Sequence, residues 1–267
     1  MSYLGTPGRL VEVKCPSVQR VESPSRYAFS TTLGGRTKAQ LLPAGDRVWD
    51  LAFGDVTTAE QVSVLADFAD GAWGAGPFWF VSTEAPVTNL LTPAAASGDA
   101  DATILYGVQG GPWDTPEGLV ARSVLYPGVT TFVGWNVNVP VLPTRRVTGA
   151  AIVQGAGGFI RLSWYDAAGN HISNANSAQL SGSGAERLAV TALPPSSAAY
   201  VRMSVSPSVV RAARPQVTWT DGPVAWSEGR GCPSAVVMRG ERRLVWTDND
   251  GRRPTYESMS FVIQEVS

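Results

Sequence analysis

The sequence predicts a mainly β protein: a barrel- or sandwich-type core with one short helix, formed by the N- and C-terminal parts, plus an inserted jelly-roll β-sandwich. Three observations predict it. Apolar residues make up 44% of the chain but are broken up by 28 glycines and 19 prolines, a punctuation that suits short strands and turns. Long stretches of the middle alternate apolar and polar residues with a period of two. Only one segment carries helical spacing. At 267 residues the chain has room for one large or two modest domains, with a core that needs no disulfide or metal.

RLVEVKCP (9–16) alternates and reads as the first strand. YAFSTTLGGRTKAQLL (27–42) reads as a hairpin turning on Gly34 and Gly35, and VWDLAF (48–53) as another strand. The helix follows. Thr57 or Thr58 caps it, Glu60 or Gln61 completes a capping box, Val62, Leu65, Ala66 and Ala69 share a face, and Gly71 stops it. PFWFVS (77–82) is a short aromatic strand. TNLLTPAAASGDADAT, from residue 88, has the small polar character of a linker or entry loop.

Beyond it the strands alternate. Thr131, Val133, Trp135, Val137 and Val139 share one face, as do Ile160, Leu162 and Trp164, then Val201, Met203 and Val205, then Val217 and Trp219. Asn136, Asn138, Arg161, Ser163, Tyr165, Arg202, Ser204 and Thr218 occupy the opposite faces. One apolar and one polar face per strand is the mark of a sandwich. The alternation breaks at Gly155 to Gly158. SEGRGCPS reads as a Gly-rich hinge, and Met259, Phe261 and Ile263 alternate in the last strand. Too few strands remain at either end for an independent core. The expected division is therefore a discontinuous core, 1–85 with 226–267, and an inserted sandwich, 86–225.

Charge and composition narrow the function classes. Charged residues are only 16% and the formal net charge is −1, with basic residues scattered. Nucleic-acid binding needs a concentrated basic surface, so it is not expected. Of the 21 basic residues only Lys14 and Lys38 are lysines, which points to a GC-rich coding genome. MSYLGTPGRLVEV lacks the n- and h-regions of a secretory signal, and no apolar run reaches the roughly 20 residues a membrane-spanning helix needs. Cys15 and Cys232 read as two buried free thiols, a disulfide between them being the alternative.

No catalytic signature emerges, and the sequence predicts no enzyme. His171 is the sole histidine, sits after a Gly-Asn turn, and has no Gly-x-Ser-x-Gly elbow to serve. No local pattern nominates a carboxylate pair for glycoside hydrolysis. Asp99 and Asp101 in SGDAD offer clustered oxygens, but without EF-hand spacing. A solvated loop is the expectation there, with a structural calcium ion as the alternative and no other cofactor.

RVWDLAFGDVTTAEQVSVLADFADGAWGAGPFWFVS (47–82) resembles minor tail proteins of siphovirus-type phages of GC-rich Gram-positive hosts. TNLLTP matches the point where those proteins enter an inserted domain. LYPGVTTFVGWNV and IRLSWYDAAGNHIS resemble carbohydrate-binding-module-like jelly rolls, and RAARPQVTWTDGPVAWSEGRGCPSAVV looks like the exit. The resemblance covers nearly the whole chain. It implies a distal-tail-type protein of the virion tail tip, assembled in the host cytoplasm. Its partners would be its own copies in a ring, usually a hexamer, the tail tube, the tape measure and other tail-tip proteins, and host cell-wall glycan.

Trp135, Trp164 and Trp219 lie on apolar faces and read as core. Tyr165 shares a polar face with Arg161 and Asn136, and Trp113 lies in a loop, so these four are the candidate glycan contacts. The aromatic strand Phe78, Trp79, Phe80 is the candidate assembly surface. The expected function is a structural tail-tip subunit linking the tail tube to the host-recognition apparatus. A glycan-binding adhesin without a ring is the main alternative, and a cell-wall depolymerase a further one.

Overall fold

The computed structural model describes residues 1–23, 27–31, 35–41, 46–98, 107–135, 137–246 and 256–266. Half of the chain is strand and 8% helical, with one helix of seven residues or more among the described residues, so the fold is mainly β as the punctuation predicts. In chain order the elements begin with β1 (Ser2–Thr6), β2 (Arg9–Val13), β3 (Val18–Glu22), β4 (Tyr27–Thr31), β5 (Thr37–Leu41), β6 (Val48–Thr58), α1 (Ala59–Ala69) and β7 (Phe78–Val81). A short α2 (Pro93–Ser97) precedes β8 (Val108–Asp114), β9 (Val120–Leu125), β10 (Val133–Gly134), β11 (Val139–Pro140), β12 (Val147–Gln154) and β13 (Ile160–Tyr165). Then come β14 (His171–Asn176), β15 (Ala185–Ala192), β16 (Tyr200–Val205), β17 (Arg211–Thr218), β18 (Cys232–Trp246) and β19 (Tyr256–Glu265).

The chain divides into two compact units, each discontinuous in sequence. One holds Val13–Phe78 and Ser234–Ser267, with Met1; the other holds Ser2–Glu12 and Trp79–Pro233. β1, β2 up to Glu12 and the aromatic strand from Trp79 onward therefore belong to the second unit, whereas the sequence assigns 1–85 to the core. Tyr3 shows the reason: its ring packs edge-on against Trp219, centroids 5.5 Å apart.

In the first unit, β18, β19, β6 and β3 lie side by side, and β6 pairs antiparallel with β19. Leu51 faces Phe261 and Trp49 faces Ile263 in that register, and alternate residues of both strands are buried. Arg47 closes one end of the pair, donating from Nε and Nη2 to the two carboxylate oxygens of Glu265, each at 2.8 Å. Helix α1 packs on β6 and β19 and buries Val62, Leu65 and Phe68. Ala66 and Ala69, expected on the same face, are only half-buried; Phe68 is the third anchor, flanked by Trp73 and Phe78 at 4.8 Å each. Gly71, at φ 78°, ends the helix as expected. The Ala72 N–H reaches the Asp67 carbonyl and the Gly71 N–H the Phe68 carbonyl, the paired closure that a left-handed residue permits. β4 and β5 form the predicted hairpin, Thr31 opposite Thr37, though Gly34 lies outside the described residues.

The second unit is a sandwich. One sheet runs β10, β16, β13, β14, with β11 also on β16; the other runs β15, β12, β17, β9, β8. Ile160, Leu162, Trp164, Val201, Met203 and Val205 fill the interior from the first sheet, all at most 2% exposed. Val147, Ala151, Val153 and Val217 meet them from the second. A side chain at Gly149 would strike Leu162, so this glycine sets how closely the two sheets approach. The expected strand over 131–139 is broken into β10 and β11, because Val139 turns its N–H back to the Val137 carbonyl. At Gly155 to Gly158, where the alternation breaks, the chain passes from one sheet to the other, with Gly155 and Gly157 at positive φ.

Among the described residues, neither 88–98 of the expected linker nor the expected hinge is loose. Asn89, Leu90 and Leu91 are at most 1% exposed. The Asn89 carboxamide donates to the carbonyls of Pro215 and Ser227 and accepts from the N–H groups of Leu91 and Val217, each at 3.1 Å. That fills all four hydrogen-bonding positions of its side chain. Its backbone carbonyl receives the Arg230 N–H, and the Leu91 carbonyl receives that of Gly231. A Cβ at Gly229 or Gly231 would run into the carbonyls of Leu90, Leu91 or Thr92. The glycines of SEGRGCPS thus permit close backbone approach rather than flexing. Thr92 caps α2, its side chain accepting from the Ala95 N–H.

Asn89→Ala orphans the buried N–H groups of Leu91 and Val217 and takes a donor from the carbonyls of Pro215, which keeps the Trp226 indole N–H, and Ser227, so a loss of about 3 kcal/mol is expected by urea unfolding. Asn89→Asp, which keeps the shape but not the donors, is expected to lose nearly as much. Exposed Ser97→Ala should stay within about 0.5 kcal/mol of the parent.

Candidate ligand-binding face

The outer surface of the β16–β13–β14 sheet is a grid set by strand register. Antiparallel pairing places Tyr200, Tyr165 and His171 in one row, Arg202, Ser163 and Asn174 in the next, and Ser204, Arg161 and Asn176 in the third. The alternation that sends Ile160, Leu162 and Trp164 inward sends Arg161, Ser163 and Tyr165 outward. All nine outward side chains carry polar atoms, and none is a carboxylate. Ser163, one of the two serines, sits at the centre at 9% exposure, while His171, Asn174 and Asn176 are exposed around it.

The larger side chains are held in place. Tyr165 stacks on Tyr200 with centroids 5.1 Å apart and an interplanar angle of 9°, and meets His171 edge-on at 5.5 Å. The Arg202 guanidinium lies 5.0 Å from the Tyr165 ring centre, and its Nε donates to Asn138 Oδ1 at 2.6 Å. Arg161 lies 3.5 Å from the Phe132 ring centre and donates from Nε to Asn176 Oδ1 at 2.9 Å. His171 Nε2 pairs with Asn174 Oδ1 at 2.9 Å. The nearest acidic residue along the chain, Asp166, is in the β13–β14 turn. There the side chain and backbone N–H of Asn170 engage both its oxygens and hold its carboxyl below the ordinary range. Stacked rings, guanidinium groups held at Nε and amides present many hydrogen-bonding groups on a firm support, the kind of surface that suits a polar ligand.

Of the candidate glycan contacts, Arg161 and Tyr165 come together on this face. Asn136 lies outside the described residues. Trp113 does not join them: it is on β8, at the edge of the other sheet, where the Arg211 guanidinium sits 4.9 Å from its ring centre. Phe78, Trp79 and Phe80 are a correction. All three are buried within the chain, at 5, 5 and 0% exposure, so their side chains offer no surface to another subunit. Cys15 is exposed rather than buried, Cys232 is buried, and no disulfide joins them. Trp135, Trp164 and Trp219 are core, as expected. Asp99 and Asp101 lie outside the described residues, and among the described residues no three His, Cys, Asp or Glu side chains converge as a metal site.

Tyr200, His171, Asn174 and Asn176 had not been connected with the site. Tyr200 opens the strand YVRMSV and is read outward once Val201 is read inward. HISNAN has too little apolar character to announce a strand, and only its pairing with β13 brings its polar residues here. No protein-family model matches the chain, and no curated protein matches it.

Tyr200→Ala removes a ring only 7% exposed, so a destabilisation of about 3 kcal/mol is expected by thermal unfolding. Asn174→Ala, on the exposed rim, is expected to change stability by less than about 0.5 kcal/mol.

Proposed function

We propose that the protein is a non-enzymatic, distal-tail-type subunit of a phage tail tip whose inserted sandwich binds saccharide on the outer face of β16, β13 and β14. The observation that carries the binding part is the nine-residue polar grid, rich in fixed hydrogen-bonding groups and without a carboxylate. Saccharide recognition needs many directional donors and acceptors on a firm support. Glycoside hydrolysis on the same face would need two carboxylates at a set separation.

The tail-tip part rests on the resemblance of residues 47–82 and of the flanks of the sandwich to minor tail proteins. The chain's departure from one compact unit at residue 78 and its return at residue 234 support it. In this reading the first unit builds a ring, expected to be a hexamer, between tail tube and tape measure and the other tail-tip proteins. The sandwich meets host cell-wall glycan. The virion tail tip is its place of work and the host cytoplasm its place of assembly. A glycan-binding adhesin that builds no ring is the second reading, favoured by the same grid.

Native mass with negative-stain images, together with co-sedimentation on host cell walls, separates these readings. A closed ring that also sediments with walls is the expected result, with retention reduced at least about tenfold in Arg202→Ala. A monomer that is retained on walls indicates the adhesin. A chain that neither assembles nor binds walls contradicts both.

A further inference from the structure

Two guanidinium groups on the proposed saccharide face have no counter-ion among the described residues. Arg161 and Arg202 are diagonal neighbours, since Arg161 opposes Ser204 and Ser163 opposes Arg202. They are held alike. Each gives its Nε–H to an asparagine oxygen, Asn176 for Arg161 and Asn138 for Arg202, and each lies over aromatic rings. A guanidinium carries five N–H donors. Among the described residues, no hydrogen bond of the chain uses the terminal Nη groups of either arginine, and no carboxylate pairs with either.

Other arginines of the same unit differ. Arg187 and Arg214 both reach Glu117, at 3.4 and 3.3 Å, and Arg211 turns its Nη2 to the carbonyls of Gly111 and Pro112. Arg145, Arg146 and Arg230 also leave their terminal nitrogens without a hydrogen bond, but the two arginines of the grid are the ones fixed by an asparagine at Nε and by aromatic rings at the same time. Burial also lowers the pKa of Arg161 from its ordinary value, a sign of partial desolvation without a compensating anion.

Fixing Nε leaves open the end-on edge between Nη1 and Nη2, whose two N–H groups lie in one plane. A planar carboxylate meets both at once. Stacking has less to offer here, because Tyr165 is already against Tyr200 and Phe132 already lies under Arg161. We infer that the face selects an acidic saccharide, a pyranose bearing a carboxylate, which the terminal nitrogens of Arg202 and Arg161 take end-on. The inference rests on the reading that this face binds saccharide, and it adds the charge of the sugar.

Calorimetric titration of the full chain tests it, with trigalacturonic acid, its carboxyl-reduced neutral trisaccharide and galactose 6-phosphate as probes. The acid is expected to bind at least about tenfold more tightly than the neutral trisaccharide, with the margin shrinking as salt rises from about 0.05 to about 0.5 M. Arg202→Gln and Arg161→Gln should each weaken binding of the acid more than binding of the neutral trisaccharide, so that the preference falls, while thermal unfolding stays unchanged. Arg202→Lys, which keeps charge without the fork, should recover only part of it. Equal binding of acid and neutral sugars overturns the inference and leaves the saccharide reading standing. Binding of neither overturns both. Tighter binding of the phosphate than of the acid overturns the assignment to a carboxylate.

Discussion

The sandwich unit depends on the satisfaction of one buried amide. Asn89 is inaccessible to solvent, yet its side chain has two donors and two acceptor positions, each costly to bury unpaired. Its four partners come from Leu91, Pro215, Val217 and Ser227, so one side chain ties the segment that enters the unit to the last strand and to the segment that leaves it. Backbone bonds from Arg230 and Gly231 continue the tie. Gln216, at 1% exposure, extends it by donating to the carbonyls of Thr88 and Ala225 while accepting from Arg187. Hydrogen bonds inside the unit thus hold the segments around residues 89 and 227–231 together.

From that fixed base the polar face proposed for binding follows by strand geometry. The interior of the sandwich demands apolar residues at every second position of β13 and β16. The positions between them project outward and are free of that demand. In this chain they hold tyrosine, arginine and serine, with histidine and asparagine on β14. Orthodox surface strands would mix charges of both signs to stay soluble. Here the guanidinium groups are paired with neutral amides and rings. Such an arrangement forgoes the stabilisation of ion pairs and leaves donor capacity directed outward.

Legibility in the sequence followed the physics. Ile160, Leu162 and Trp164, or Met259, Phe261 and Ile263, are each buried on one side only, so their period of two shows in the sequence and their burial was foreseen. Helix α1 was legible from its spacing and its Gly71 stop. Strand β12 is buried along nearly its whole length, so VTGAAIV has no alternation to display. The edge strand β14 contributes little to the core, so HISNAN gave no signal and its residues on the face were missed. Asn89 looked like linker material because its partners lie as many as 138 residues away, and no local pattern carries such information. The aromatic run Phe78, Trp79, Phe80 shows the same limit from the other side. A buried strand and a subunit contact are made of the same residues, and only the fold assigns these to the interior.

Nuclear magnetic resonance of the isotope-labelled full chain, titrated with solubilised host cell-wall fragments, addresses the central claim that the β16–β13–β14 surface is the ligand-binding face. Shift changes concentrated at residues 161–165, 171–176 and 200–204, with the arginine side-chain N–H signals among the most affected, are the expected result. Changes confined to β8 and β9, or to the unit formed by residues 13–78 and 234–267, would contradict it.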